Sequence, residues 1–107
     1  MTWADFHKKS EVLASEAEAA RRDGDVGKAQ TLYARAAEAE SIALDQLDNS
    51  KTRTLGISAV SAAALRYKAK QYAEAQQLAY KWLGTGLLPK FAEEQLRALL
   101  QCRKHWG

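Results

Sequence analysis

Apolar residues recur at helical spacing almost from the start of the chain. Phe6, Leu13, Ala17 and Ala20 are separated by the steps that put side chains on one face of an α-helix. The pattern predicts a helix from Thr2 to about Asp23. Thr2-Trp3-Ala4-Asp5 resembles a capping box with an acid at the third helical position. Gly24 suits the left-handed conformation that ends a helix, and Asp25 is placed to cap the next one. Val26, Ala29, Leu32, Tyr33, Ala36, Ala39, Ala43 and Leu47 then trace one buried stripe down a long second helix. Nothing breaks that stripe before Asp48-Asn49-Ser50.

The segment KTRTLG reads as a polar joint in which Thr52 or Thr54 caps a third helix over about 55–70. That helix carries Ile57, Ala59, Val60, Ala62, Ala63, Ala64, Leu65 and Tyr67, so it is apolar on several sides. Such a helix belongs in the centre, with neighbours on two or more faces. A fourth helix over about 72–83 turns Tyr72, Ala75, Leu78, Ala79, Trp82 and Leu83 inward and stops at Gly84-Thr85-Gly86. Pro89 fits the first turn of a fifth, where its missing N–H costs nothing. Phe91, Ala92, Leu96, Leu99 and Leu100 form its inner face, and its end frays near Cys102 to Gly107. The expected fold is all-α: five antiparallel helices in a single domain, residues 1–107, with no strand.

Composition agrees with this. The 107 residues are 47% hydrophobic and 27% charged, with one proline, which favours helix in an alanine-rich chain. No apolar run approaches the roughly 20 residues of a membrane span. MTWADFHKKSEV lacks the basic-then-apolar pattern of a secretory signal. With a single cysteine, Cys102, no internal disulfide can form, so the expected setting is a reducing, cytoplasmic one. Charge changes the picture more. Residues 1–50 hold six basic and ten acidic side chains, a net of −4, while residues 51–107 hold ten basic and three acidic, a net of +7. A basic half can meet an acidic partner, nucleic acid or the acidic half of a second copy.

Candidate chemistry is sparse. His7 and His105 lie at opposite ends of the chain, and Cys102 and His105 are one helical turn apart without the other ligands a metal site needs. Glu93 and Glu94 point to different sides of their helix. Asp23 and Asp25 flank Gly24 without the rest of a calcium loop, and no phosphate-binding glycine pattern occurs. The expectation is no enzyme, no metal and no cofactor. Tyr67 stands near Lys68 and Lys70, and Tyr80 and Trp82 flank Lys81. Arg97, Arg103, Lys104 and His105 add charge toward the end. This leaves a small basic nucleic-acid-associated protein as the alternative function.

A shift of 46 residues aligns Ser15 with Ser61, Ala17 with Ala63, Ala29 with Ala75, Gln30 with Gln76 and Leu32 with Leu78. The first unit places Ala17 before Gly24-Asp25-Val26, then Ala29-x-x-x-Tyr33 and Ala36. The second places Ala63 before Gln71-Tyr72, then Ala75-x-x-x-Ala79 and Trp82. These residues resemble the tetratricopeptide repeat, a helical hairpin with small residues where its helices cross. The resemblance covers about residues 10–43 and 56–89, with the fifth helix as a cap. Departures are plain: the second helix runs about three turns long, Trp82 and Ala79 exchange bulk, and no proline closes the first unit. The first three helices also look like the microtubule-interacting-and-trafficking domain, through Gly24-Asp25-x-x-x-Ala29-x-x-Leu32-Tyr33.

The tetratricopeptide resemblance implies a protein-interaction module in which the first helix of each hairpin lines a peptide groove. The matching positions are Glu11, Ala14, Glu18, Arg21 and Arg22, then Ile57, Val60, Ala64, Tyr67 and Lys68. Of these, Arg22, Ile57, Val60, Ala64, Tyr67 and Lys68 are the expected groove. An apolar strip rimmed by Arg22 and Lys68 would suit a peptide or amphipathic helix with an acidic edge. Alternatively, Ile57, Val60 and Tyr67 are covered by the chain's own first or second helix. Burial of Trp3, Phe6 or Trp106 against a second copy would make a homodimer.

Overall fold

The computed structural model describes residues 1–101; the readings on Cys102, Arg103, Lys104, His105 and Trp106 lie outside them. Five α-helices make up the described fold: α1 (Trp3–Arg22), α2 (Val26–Asp45), α3 (Thr52–Lys68), α4 (Tyr72–Leu83) and α5 (Lys90–Leu100). The fold is all-α, with no strand among the described residues. No described helix is long and apolar enough to cross a membrane. α1 packs on α2, α2 on α3, and α3 in turn on α4 and α5, which is the central place its apolar circumference predicts.

Local chemistry sets most helix ends. The Asp5 carboxylate accepts from the Thr2 backbone N–H at 2.9 Å and from its hydroxyl at 3.1 Å. The Asp25 carboxylate accepts from the Lys28 N–H at 3.1 Å, satisfying one of the donors a helix start leaves open. The joint before α3 is shorter than expected. Lys51 is the capping position, without a side-chain cap, and Thr52 and Thr54 already lie in the first turn. Thr52 and Arg53 are exposed in that turn, where water can reach the N–H groups that lack intrahelical acceptors, while Leu55 one turn on is fully buried. Pro89 caps α5 from just outside, with φ −66° and ψ 160°.

The two hairpins turn in the same way. Asp25 N–H donates to the Ala20 carbonyl at 2.9 Å and Gly24 N–H to that of Arg21 at 3.0 Å. Forty-six residues later, Gln71 N–H donates to Arg66 at 2.9 Å and Lys70 N–H to Tyr67 at 2.9 Å. Both are Schellman closures, which require a left-handed residue at their centre. Gly24 supplies it at φ +81°, but the second turn forces Lys70 to φ +62°. That conformation costs a side-chain-bearing residue about 1–2 kcal/mol. Lys70→Gly is therefore expected to raise stability by about 0.5–1 kcal/mol, after the greater freedom of glycine in the unfolded chain is discounted. Urea unfolding followed by circular dichroism measures it.

The apolar core is in two parts. One joins Leu13, Ala17 and Ala20 to Ala29, Leu32, Tyr33 and the end of α3 at Leu65 and Ala69. The other joins Leu44 to Leu55, Ala59 and Ala63, and then to Ala79, Trp82, Leu88, Ala92, Leu96 and Leu100. Small residues set the close approaches. Ala17, Ala63 and Ala75 are fully buried and Ala29 almost so. Gly56 faces α5 so tightly that a Cβ there would stand 2.9 Å from the Ala92 Cβ and from the Pro89 Cδ. One expected core residue is out of place: Val26 is 57% exposed. It is the first residue of α2 and sits at the turn, short of where α1 can cover it.

Candidate functional site

α1 and α3 both lie against α2, and side chains join them at two points. At one, the Trp3 indole Nε1 donates to the Ser58 hydroxyl at 3.4 Å. At the other, the Lys68 ammonium lies 3.5 Å from a Glu18 carboxylate oxygen. Between them is a cleft of about 240 Å³. His7, Ser10, Glu11 and Ala14 form its α1 wall, Ser61, Ala64, Leu65 and Lys68 its α3 wall, and Glu40 of α2 its floor. The room comes from small residues, since Ala14, Ser61 and Ala64 present little bulk where longer side chains would close the gap.

The floor is polar and buried. Glu40 is 1% exposed and Ser58 is fully buried. His7 Nδ1 lies 2.9 Å and 3.1 Å from the two Glu40 carboxylate oxygens, so its N–H donates to them. The Ser58 hydroxyl donates to Glu40 as well. The His7 ring stacks on Trp3, with centroids 4.6 Å apart, and its Nε2 lies 3.6 Å from Glu11. Chemically, both His7 and Ser58 are turned toward the carboxylate, and Ser58 also accepts from Trp3. The hydroxyl proton is committed to Glu40, and the imidazole holds that carboxylate in place. This is an arrangement for keeping a buried charge satisfied. No group of three or more His, Cys, Asp or Glu side chains able to hold a metal ion occurs among the described residues.

A second pocket, of about 290 Å³, opens on the other side of Lys68, where the two hairpin turns lie side by side. The rings of Tyr33, Tyr67 and Tyr72 line it together with Arg21, Lys68 and Lys70. Tyr67 and Tyr72 meet edge to face, centroids 5.2 Å apart, and the Lys68 ammonium lies 5.7 Å from the Tyr33 ring centre. The Tyr33 hydroxyl is buried with no partner in hydrogen-bond geometry, yet it is near enough to Glu18 to affect both groups. Glu18 is held below the usual carboxylate range, first by that hydroxyl, with Arg21 and Lys68 adding to it. Burial, reinforced by Glu18, pushes the Tyr33 phenol up to about 12.

A raised phenol pKa means that the folded state retains a proton the unfolded chain loses near pH 10. The stability this contributes is complete below pH 10 and is lost as pH rises through about 12. Ultraviolet titration of the wild type minus Tyr33→Phe should show a single phenol with a midpoint of about 12.

The expected groove residues divide between these features. Ala64 and Lys68 line the α1–α3 cleft, and Tyr67 and Lys68 line the tyrosine pocket. Arg22 is exposed at the end of α1, while its neighbour Arg21 is the one that lines the pocket. Ile57 and Val60 line neither. Ile57 is 40% exposed, and Val60 packs partly on the second core cluster. The residues that sequence reasoning missed are Ser10, Glu40 and Ser58, which interrupt otherwise apolar stripes; Lys70 was named only for its charge beside Tyr67, and its left-handed backbone had as its one sign the alignment with Gly24.

Fold and site together define the chain as an all-α helical domain with two adjoining surface clefts that share Lys68. No protein-family model matches the sequence, and no curated protein or solved structure matches it.

Proposed function

We propose that this domain is a non-catalytic protein-interaction module that receives a peptide or a helix of a partner along the α1–α3 cleft, in the manner of tetratricopeptide-like proteins. The observation that carries this reading is the cleft itself. It is open between helices held apart by α2 and walled by Ala14 and Ala64, with a floor whose polar groups are already satisfied from within. A partner segment laid there meets mixed walls, with Ala14, Ala64 and Leu65 for its apolar groups and Glu11 and Lys68 for its polar ones, and does not have to satisfy Glu40.

The test is selection of peptides from a random displayed library on the wild-type domain, followed by titration of the winners against Ala64→Arg. Ala64 is half-buried at the cleft wall, so an arginine there fills the cleft from its edge. Selected peptides are expected to bind in the micromolar range and to weaken at least about tenfold on the variant. Failure to select any peptide counts against the reading. So does tight binding of a labelled oligonucleotide that collapses as salt rises, which would favour a nucleic-acid-associated protein.

A further inference from the structure

Three features of the tyrosine pocket stand together. Its lining brings three aromatic rings, Tyr33, Tyr67 and Tyr72, to one place. Its rim is cationic: Arg21, Lys68 and Lys70 all contribute, and Glu18, the acid paired with two of them, leaves the rim a net positive charge. The third is the backbone at Lys70. The same turn in the first hairpin uses glycine, at no steric cost, whereas the second holds a lysine at φ +62°. A strained non-glycine residue that persists points from structure toward function. Here the strained residue is also one of the three cations of the pocket.

The volume, about 290 Å³, lies just under the range of about 300–1,000 Å³ typical of drug-sized ligand sites. It suits one large side chain better than a whole cofactor. Aromatic faces attract another ring in offset or edge-to-face contact, and exposed cations around them select negative charge and steer its approach.

We infer that the pocket lined by Tyr33, Tyr67 and Tyr72 receives a single aromatic side chain of an acidic peptide, whose flanking carboxylates meet Arg21, Lys68 and Lys70. The inference deepens the interaction-module reading and rests on it: the α1–α3 cleft takes the run of the partner chain, and the pocket beyond Lys68 takes its aromatic anchor.

The test is fluorescence polarisation with three labelled heptapeptides. One is a central tryptophan flanked by three acids on each side, the second has serine for the tryptophan, and the third has lysines for the acids. The acidic tryptophan peptide is expected to bind, with at least about tenfold loss for each of the other two. Against this peptide, Arg21→Glu and Lys70→Glu should each lose about tenfold, and the affinity should fall as salt rises. Lys70→Gly supplies a readout that a merely structural role would not give, since it should make the protein more stable and the peptide weaker by several-fold. Tyr67→Ala should also weaken it.

The inference is overturned if Lys70→Glu binds the acidic tryptophan peptide as tightly as wild type, or if the serine peptide binds equally well. It is overturned too if wild type shows no binding at millimolar peptide. Peptides selected on the whole domain separate the two readings. If they depend on Ala64 but ignore Lys70→Glu, the anchor pocket is wrong and the interaction module stands. If no selected or designed peptide binds, both fall.

Discussion

Replacing His7 with leucine is expected to destabilise the protein by about 2–4 kcal/mol, although His7 is only half-buried and lies in the second turn of the first helix. The cause lies beneath it. Glu40 is 1% exposed and takes hydrogen bonds from His7 and Ser58. Removing the imidazole leaves a buried carboxylate with one hydroxyl where it had a hydroxyl and an N–H. Breaking a buried pair from one side typically costs about 3–5 kcal/mol, because the remaining charge stays desolvated. His7 is 24% exposed, so water reaches part of the gap and lowers the cost. The double variant His7→Leu/Glu40→Leu should recover most of the loss, since it removes the stranded charge together with its partner. Urea unfolding of the four proteins in that cycle gives the coupling. A double variant no more stable than His7→Leu would show that packing of the ring on Trp3, and not the charge, is what matters.

Gly56→Leu is expected to cost about 3 kcal/mol and to act mainly on α5. A glycine in mid-helix is ordinarily a weakness of about 1 kcal/mol relative to alanine, so in isolation any side chain here would help α3. The neighbouring helix reverses the sign. Even one added carbon would stand 2.9 Å from Ala92 and from Pro89, closer than the van der Waals contact the core tolerates. The obstruction is a Cβ and a proline ring, neither of which can swing aside. α5 would have to retreat, withdrawing Leu96 and Leu100 from the second core cluster. Overpacking of this kind costs about 1–3 kcal/mol, and leucine lies at the upper end. Gly56→Ala should lose about 1 kcal/mol, the helix-propensity gain offsetting part of the clash. Unfolding curves measure both, and faster amide exchange confined to α5 in Gly56→Leu would locate the damage.

These two sites also show where sequence reading reaches and where it stops. Helix positions were legible because Gly24 and Pro89 have stereochemistry that marks a helix end or start, because Asp25 has a side chain that caps α2, and because the apolar stripes between them keep helical period. The central place of α3 followed from its apolar circumference. The beginning of α3 was misplaced by three residues, since a first turn carries no apolar signature. The buried polar groups in and beneath the cleft were hidden for a different reason. Ser10, Glu40 and Ser58 each fall in step with apolar neighbours: Phe6 and Leu13 around the first, Ala36 and Ala43 around the second, Leu55 and Ala62 around the third. Read one helix at a time they are interruptions. Only the fold shows that the interruptions face one another and that His7 joins them across 33 positions. Lys70 was hidden because a lysine does not announce a left-handed backbone, although its alignment with Gly24 held the clue.

The division of the core has a consequence for how the molecule comes apart. Along α2, membership changes from the first cluster to the second at Glu40, between Ala37 and Leu44, and the groups at that level are held by directional bonds with little tolerance for sliding. Each cluster can therefore loosen at its own end while the bonds at Glu40 hold. α5 touches only α3 and α4 among its principal neighbours, whereas α2 and α3 belong to both clusters. Native-state amide exchange should therefore rank the helices, with α5 the first to open and the middle of α2 and α3 the last. On that ordering, the aromatic pocket at the hairpin turns keeps its shape while the far end of the molecule loosens.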